Sequence, residues 1–321
     1  MERRSFIGKS ALAIGAGLLG LPVVSQFTTS QQMAHQTKSG ATMVFGNVKV
    51  HCFTSGYVKV KQSHKDPSLG LPAILIDPFW TDWLPIHTWV IEHPEGNILI
   101  DTGENKQVNE KGYFACDKIN GAVYRTILRF SVNAEDELPS LLANINMTPE
   151  DIRWVVLTHL HLDHVDGAQF FSQSEFVINK TEYKVNSPGH LRCLLPNWFR
   201  PSTIGYTKSR LPGFDQSFAL TKSKDVLLIP TPGHTYGHQS VVLDTGQQFL
   251  VFAGDASFNQ QQVLDNKVAG VCSDKKQARQ TIERFRLMGK QHPTVYLPSH
   301  DPQSRDRFLH TENMRVLQYG F

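Results

Sequence analysis

The sequence predicts an α/β protein built as an αβ/βα sandwich, two mixed β-sheets packed face to face with helices outside. Two observations predict it. Short β-branched and apolar runs of strand length recur along the chain between stretches of helical pattern. Histidines and aspartates fall repeatedly just past the ends of those runs, as they do where strands deliver a site to one edge of a sheet.

Composition is compatible with this reading. The chain has 321 residues, 40% hydrophobic and 19% charged, which is enough for one domain of about 280 residues or two fused halves. Its net charge of +3 comes from 32 basic and 29 acidic residues with no long run of one sign, so nucleic acid is not an implied partner. Four cysteines, Cys52, Cys116, Cys193 and Cys272, lack any C-x-x-C spacing and do not read as metal ligands. Up to two disulfides or buried free thiols both remain open.

In chain order, the N-terminus comes first. Met1-Glu2-Arg3-Arg4-Ser5-Phe6 followed by the apolar stretch Ala11 to Val24 resembles a twin-arginine export signal. At roughly 15 residues the stretch falls short of the ~20 a bilayer span needs, so no stable membrane span is expected and the protein is expected to be exported to the periplasm. Cleavage after Ser25 and an uncleaved tether both fit. Residues 1–25 are thus read as the signal, 26–42 as a polar linker and 43–321 as the catalytic domain.

Strand-like runs follow at Val44 to Phe53, Ala73 to Ile76, Thr88 to Glu92 and Asn97 to Asp101, punctuated by Pro, Gly, Asp and Asn. A helical stretch spans about Glu135 to Asn144, and Thr148-Pro149-Glu150-Asp151 is a second helix-start signal. The run Trp154 to Thr158 is apolar and β-branched, and its end opens on His159. In the second half, Val226 to Ile229 leads to His234, Ser240 to Leu243 and Gln248 to Ala253 lead to Asp255, and a helix near Lys276 to Met288 precedes Thr294 to Leu297, which ends at His300.

The decisive segment is Thr158-His159-Leu160-His161-Leu162-Asp163-His164-Val165-Asp166-Gly167. Imidazole and carboxylate are ligand types that zinc takes, and a packed core would have to pair each of these groups. Alternation with Leu160 and Leu162 sends His159 and His161 to one side, while Asp163 and His164 reach a second position. One segment therefore supplies ligands for two metals.

This run, with His234 about 70 residues on, Asp255 about 20 further and His300 about 45 beyond that, resembles the metallo-β-lactamase superfamily. Leu99-Ile100-Asp101-Thr102-Gly103 is similar to its opening motif. The resemblance runs from about Met43 to the C-terminus. It implies two zinc ions per chain, with His159, His161 and His234 on the first, Asp163, His164 and His300 on the second, and Asp255 between them. It also implies that Asp101 orients a ligand histidine, and it marks Asp163 and Asp255 as catalytic. His238 lies close enough to act behind the ligands. The remaining histidines, among them His64 and His190, read as surface or hydrogen-bonded core residues.

Within the superfamily, Thr231-Pro232-Gly233-His234-Thr235-x-Gly237-His238-Gln239-Ser240 and Gly254-Asp255-Ala256-Ser257 look like the N-acyl-homoserine lactone lactonases. The resemblance thus implies a zinc hydrolase that opens a lactone ring. True class B β-lactamases lack the bridging aspartate. Glyoxalase II and the tRNA-processing ribonuclease need additional binding regions, for which the 21 residues after His300 are expected to be too few. One departure stands out: Phe258 occupies the position where lactonases commonly carry a substrate-contacting tyrosine, so a hydroxyl from Tyr206 or Tyr236, or zinc alone, has to serve. Organophosphate triester hydrolysis, as in methyl parathion hydrolase, is the alternative reaction. A non-catalytic metal-binding protein is disfavoured by the full ligand set, and diiron redox chemistry by His161.

Loop aromatics complete the candidate site. Phe79, Trp80 and Trp83, then Trp198, Phe199 and Phe214 in the long insertion from about Ser187 to Phe218, read by default as loop anchors. With Phe258 they are also the candidates for an apolar groove that would take an acyl chain. A homodimer is compatible with the sequence.

Overall fold

Alternating apolar residues build two sheets whose inner faces share one core. The computed structural model describes residues 35–36, 40–66 and 71–316. The first sheet holds β1 (His35–Gln36), β2 (Gly40–Phe45), β3 (Val48–Val60), β4 (Leu84–Glu92), β5 (Asn97–Ile100), β6 (Leu128–Ser131), β7 (Ile152–Val156), β8 (Glu175–Asn179) and β9 (Ser202–Ile204). Their spatial order is β1-β2-β3-β4-β5-β7-β8-β9, with β6 paired to β3. The second sheet holds β10 (Thr207–Leu211), β11 (Phe214–Ala219), β12 (Val226–Pro230), β13 (Gln239–Asp244), β14 (Phe249–Gly254) and β15 (Thr294–Pro298), in that order. Both sheets are mixed: β5, β7, β8 and β9 run parallel, as do β14 and β15, and the other pairs are antiparallel.

The period-two alternation of strand side chains sorts these residues into layers. From β5 and β7, Ile98, Ile100, Trp154 and Val156 face Val241, Leu243, Leu250, Phe252, Val295 and Leu297 of the second sheet. Their chain neighbours Leu99, Val155 and Leu157 turn the other way, onto Leu138, Leu141 and Leu142 of a surface helix. On the far side Val242, Val251 and Tyr296 pack against Ala278, Ile282, Phe285 and Met288. Trp89 sits at the inter-sheet centre, its ring 5.1 Å from Phe252 and 5.2 Å from Phe308, where truncation to alanine costs about 3–5 kcal/mol.

The helices are α1 (Leu71–Ile76), α2 (Lys118–Ile127), α3 (Leu138–Ala143), α4 (Leu162–Val165), α5 (Lys180–Lys184), α6 (Gln260–Leu264), α7 (Lys275–Gln291) and α8 (Ser304–His310). None of the described helices is long and apolar enough to cross a membrane.

Several local expectations are corrected. Ala73 to Ile76, read as strand, belongs to α1; a four-residue apolar run has no periodicity to separate the two states. The start signal at Thr148 does form its reciprocal cap with Asp151 but opens only a single 3₁₀ turn, because strand β7 begins at Ile152. The insertion read as loop carries β9, β10 and β11. Of the residues read as linker, 35–36 and 40–42 lie in strands, so the folded domain starts earlier than Met43. The export signal over residues 1–25 lies outside the described residues. Cys116 and Cys193 form a disulfide, whereas Cys52 and Cys272 are buried free thiols.

Candidate metal centre

Strand ends converge on one edge of the sandwich, and each contributes ligand-type side chains. β7 leads through Thr158 to His159 and His161, and the single turn α4 then carries Asp163 and His164. The β12–β13 loop supplies His234. Asp255 follows β14 and His300 follows β15. At Gly254 the chain turns with φ +57°, and any Cβ there would meet His238 Nε2 at 2.7 Å, so only glycine lets β14 end against this loop.

The seven residues fall into two linked groups. Ligand atoms of His159, His161 and His234 lie within 4.8 Å of one another, and so do those of Asp163, His164 and His300. Asp255 stands between the groups: Oδ2 is 3.4 Å from His234 Nε2, and Oδ1 is 3.3 Å from both His164 Nε2 and His300 Nε2. Asp163 Oδ2 lies 3.2 Å from His300 Nε2.

Each histidine has its second nitrogen engaged elsewhere, which fixes the one that faces the site. His161 Nε2 donates to the Pro188 carbonyl (2.9 Å), His234 Nδ1 to the Val271 carbonyl (3.1 Å), and His300 Nδ1 to the Pro85 carbonyl (2.9 Å). His164 Nδ1 meets Asp101 Oδ2 at 2.7 Å, and His159 Nδ1 meets the Thr158 hydroxyl at 3.0 Å. Asp101 accepts in addition from the Thr158 amide (2.7 Å) and hydroxyl (2.8 Å). His164 Nε2 and Asp255 Oδ1 are buried with no hydrogen-bond partner. Buried polar atoms rarely stay unpaired, and two atoms that can both present lone pairs, converging to 3.3 Å here, are what a bound cation would satisfy. The residues therefore fit a metal pair.

Electrostatics separate the two groups. Burial, then the neighbouring imidazoles, hold His159 well below its ordinary pKa and His234 down to about 3, so both are neutral and present free lone pairs, as metal ligation requires. Burial also disfavours charge on His164 and His300, but Asp255 and the other carboxylates outweigh it, raising His164 well above its ordinary value and His300 to about 10. The same two imidazoles hold Asp163 and Asp255 ionised against the cost of burial.

Two residues behind the ligands complete the scaffold. His238 accepts the Asp255 amide on Nε2 (3.0 Å) while its Nδ1 meets Thr231 Oγ1 (2.8 Å), which is the supporting place the sequence allowed for it. Glu182 was not legible in the sequence: it accepts from the Leu160 amide and the Gly237 amide, both at 3.0 Å, and so ties the two histidine-bearing loops together. No local motif marks it.

A cavity of about 310 Å³ opens over the site. His161, Asp163, His234, Asp255 and His300 form its base, and its walls are largely aliphatic, with Val58, Ile74, Val123, Ile127 and Val271 among them. The expectation of an aromatic groove is corrected, because Phe258 alone of the seven candidates lines the cavity. Phe79 is 70% exposed. Trp80 lies under Lys61 Nζ at 3.9 Å, and Trp83 under Lys59 Nζ at 5.0 Å. Trp198 and Phe199 pack on Phe176, and Phe214 on Phe285, since large rings gain most where they anchor their own segments. Neither Tyr206, which donates to Gln239 Oε1 (2.8 Å), nor the exposed Tyr236 lines the cavity. Tyr124 and His64 do, and the sequence had singled out neither for the site.

Comparison with known proteins agrees with this architecture. Residues 81–300 match the profile of the metallo-β-lactamase superfamily. An N-acyl homoserine lactonase from Bacillus sp is 30% identical over 224 residues, covering 68% of this chain and 82% of the relative. The lactonase AttM of Rhizobium radiobacter is 24% identical over 241 residues, covering 70% and 85%. Among solved structures, an N-acyl homoserine lactone hydrolase with N-hexanoyl-L-homoserine at its catalytic metal centre superposes with a TM-score of 0.66 at 22% identity, over 80% of this chain and 94% of that one. AidC, a dizinc quorum-quenching lactonase, does so with 0.59 at 17% identity, over 82% and 91%. With its seven ligand-type residues gathered at the strand ends of a two-sheet sandwich, the chain belongs to the metallo-β-lactamase superfamily.

Proposed function

We propose that this protein is a dinuclear zinc hydrolase that opens the lactone ring of N-acyl-homoserine lactones. The observation that carries the reading is Asp255, set between two histidine-bearing groups at the base of an aliphatic cavity. When bound, a zinc pair supplies a water that ionises near neutrality and polarises the carbonyl under attack. His159, His161 and His234 would hold the first zinc and Asp163, His164 and His300 the second, with Asp255 placed between the two groups. The chain's own residues supply the rest. Asp163, kept ionised by its imidazole neighbours, takes the proton of the attacking water and returns it to the departing ring oxygen. Asp101 and His238 hold His164 and Asp255 in place, and the aliphatic walls offer an acyl chain a dry surface.

Rates on an N-acyl-homoserine lactone, a simple aliphatic lactone and paraoxon test this directly. The homoserine lactone should be the fastest of the three. Preference for paraoxon would establish a phosphotriesterase instead, and metal binding without turnover of any of the three would mark a binding protein. Hydrolysis in heavy-oxygen water should place the label in the new carboxylate; label on the homoserine hydroxyl would mean attack at the ring carbon.

Export by the twin-arginine route belongs to the same proposal. It is supported by Arg3-Arg4 and by the Cys116–Cys193 disulfide, a bond that persists in oxidising compartments. Replacing both arginines with lysine should retain the protein in the cytoplasm, and unchanged periplasmic recovery would exclude the route.

A further inference from the structure

His64 is a buried imidazole on the cavity wall that none of the steps above employs. It closes a 3₁₀ turn, Gln62–His64, directly after β3. That turn is rigidly held. The Ser63 amide donates to Asp77 Oδ2 (2.7 Å), and the His64 carbonyl accepts from the amides of Gly270 (2.7 Å) and Val271 (3.1 Å). Gly270 approaches so closely that a Cβ there would lie 2.0 Å from the Ser63 carbonyl oxygen. Through Val271, whose carbonyl receives His234 Nδ1, the turn is coupled to one of the ligand-bearing loops.

The ring has a defined tautomer. Nδ1 lies 3.2 Å from the Lys61 carbonyl, which can only accept, so Nδ1 carries the hydrogen. Burial pushes the imidazole down to about 4, and the ring is neutral under physiological conditions. Nε2 is then a bare lone pair. It has no hydrogen-bond partner among the described residues, and with Nδ1 turned to the backbone it is the edge left for the cavity. Val60, Ile74, Leu75 and Phe258 of the cavity lining have no side-chain donor, and the two other wall side chains that do, Asn120 and Tyr124, donate instead to Asp117 Oδ2 and the Gly189 carbonyl.

We infer that His64 Nε2 is a recognition acceptor, and that it selects ligands carrying an N–H donor between the reacting carbonyl and an apolar tail. An acceptor in a largely apolar wall favours a ligand that satisfies it and penalises one that leaves it dry. A secondary amide adjoining the ring is such a donor. The inference rests on the lactonase reading for the identity of the ring, but it is a separate claim: His64 distinguishes acylated homoserine lactones from alkyl lactones of similar size.

The test has a catalytic arm and a binding arm. For wild type and His64→Leu, KM is measured on N-hexanoyl-L-homoserine lactone and on γ-decalactone, which has no N–H. His64→Leu should raise KM for the first by about tenfold and leave the second within about twofold, at equal metal content. His64→Gln, which keeps an acceptor, should restore most of the loss. Equal losses on both substrates, or none on either, would overturn the inference. The binding arm uses calorimetry on ring-opened N-hexanoyl-L-homoserine and its N-methylated amide, and requires no turnover. Wild type should bind the methylated ligand about tenfold more weakly, and the leucine variant should bind both alike. Wild type binding both equally would sink the claim even if the leucine variant failed to fold. If neither lactone is hydrolysed but the methylation penalty persists in wild type and disappears in the variant, the lactonase reading fails while the role of His64 stands.

Discussion

Replacing Asp101 with asparagine should weaken metal binding and the metal-free fold by comparable amounts. The Asp101 carboxylate accepts three hydrogen bonds, from the Thr158 amide, the Thr158 hydroxyl and His164 Nδ1, all within 2.8 Å. Its backbone sits at φ +58°, a conformation that asparagine tolerates better than most residues, so the substitution isolates side-chain chemistry. The asparagine carbonyl can keep the Thr158 amide, and its NH2 then faces His164 Nδ1. Two donors cannot share that contact. Either His164 loses its partner, at about 1–3 kcal/mol for a buried unpaired group, or it moves its proton to Nε2, the nitrogen that faces Asp255 and the metal position. Both routes lower metal affinity, by about 10–100-fold for loss of such a supporting contact. Dialysis of wild type and variant against graded zinc buffers would show the second equivalent binding more weakly in the variant. Urea unfolding after chelation would show a loss of about 1–3 kcal/mol. A variant that binds its second zinc as tightly as wild type would refute the claim that the Asp101 contact sets the His164 tautomer.

Reduction of the Cys116–Cys193 disulfide, which spans 77 residues of sequence, should cost about 4 kcal/mol through restored freedom of the unfolded chain, read as a lower urea midpoint with dithiothreitol; coincident curves would contradict it. Glu182 provides a pH test. Burial raises its pKa, but His190 and the donors around its carboxylate outweigh that and hold it near 2 against the ordinary 4.5, so its stabilising contribution is complete above 4.5 and is lost as pH falls toward 2. The stability gap between wild type and Glu182→Gln should therefore narrow across that window, and a constant gap would contradict the assignment. If the metal pair alone activates the carbonyl, Phe258→Tyr, on the cavity wall, should leave turnover within about tenfold, roughly 1.4 kcal/mol in barrier. A larger gain in kcat would show that the missing hydroxyl limits the reaction.

The metal centre was legible in the sequence because its chemistry is local. Three histidines and an aspartate within the segment His159 to His164 demand an explanation that packing cannot supply, and His234, Asp255 and His300 each follow an apolar run that ends where a strand ends. The two-sheet class was legible because apolar runs of strand length recur between helical stretches, but Ile98 to Ile100 and Trp154 to Val156 are apolar throughout, so only the fold decided which side chains face the second sheet and which the outer helix. The cavity wall was not legible. Val58, Ile74, Val123 and Val271 come from β3, α1, α2 and a loop after α6, and nothing in the order of the chain brings them together. Aromatic rings that looked like a groove instead gained more by anchoring their own segments, and His64 looked like any other histidine until packing engaged one nitrogen and left the other open. Ligand identity is written in residue type and spacing, which a linear pattern preserves. Substrate recognition depends on which distant side chains share a surface, and that is settled only when the two sheets close on one another.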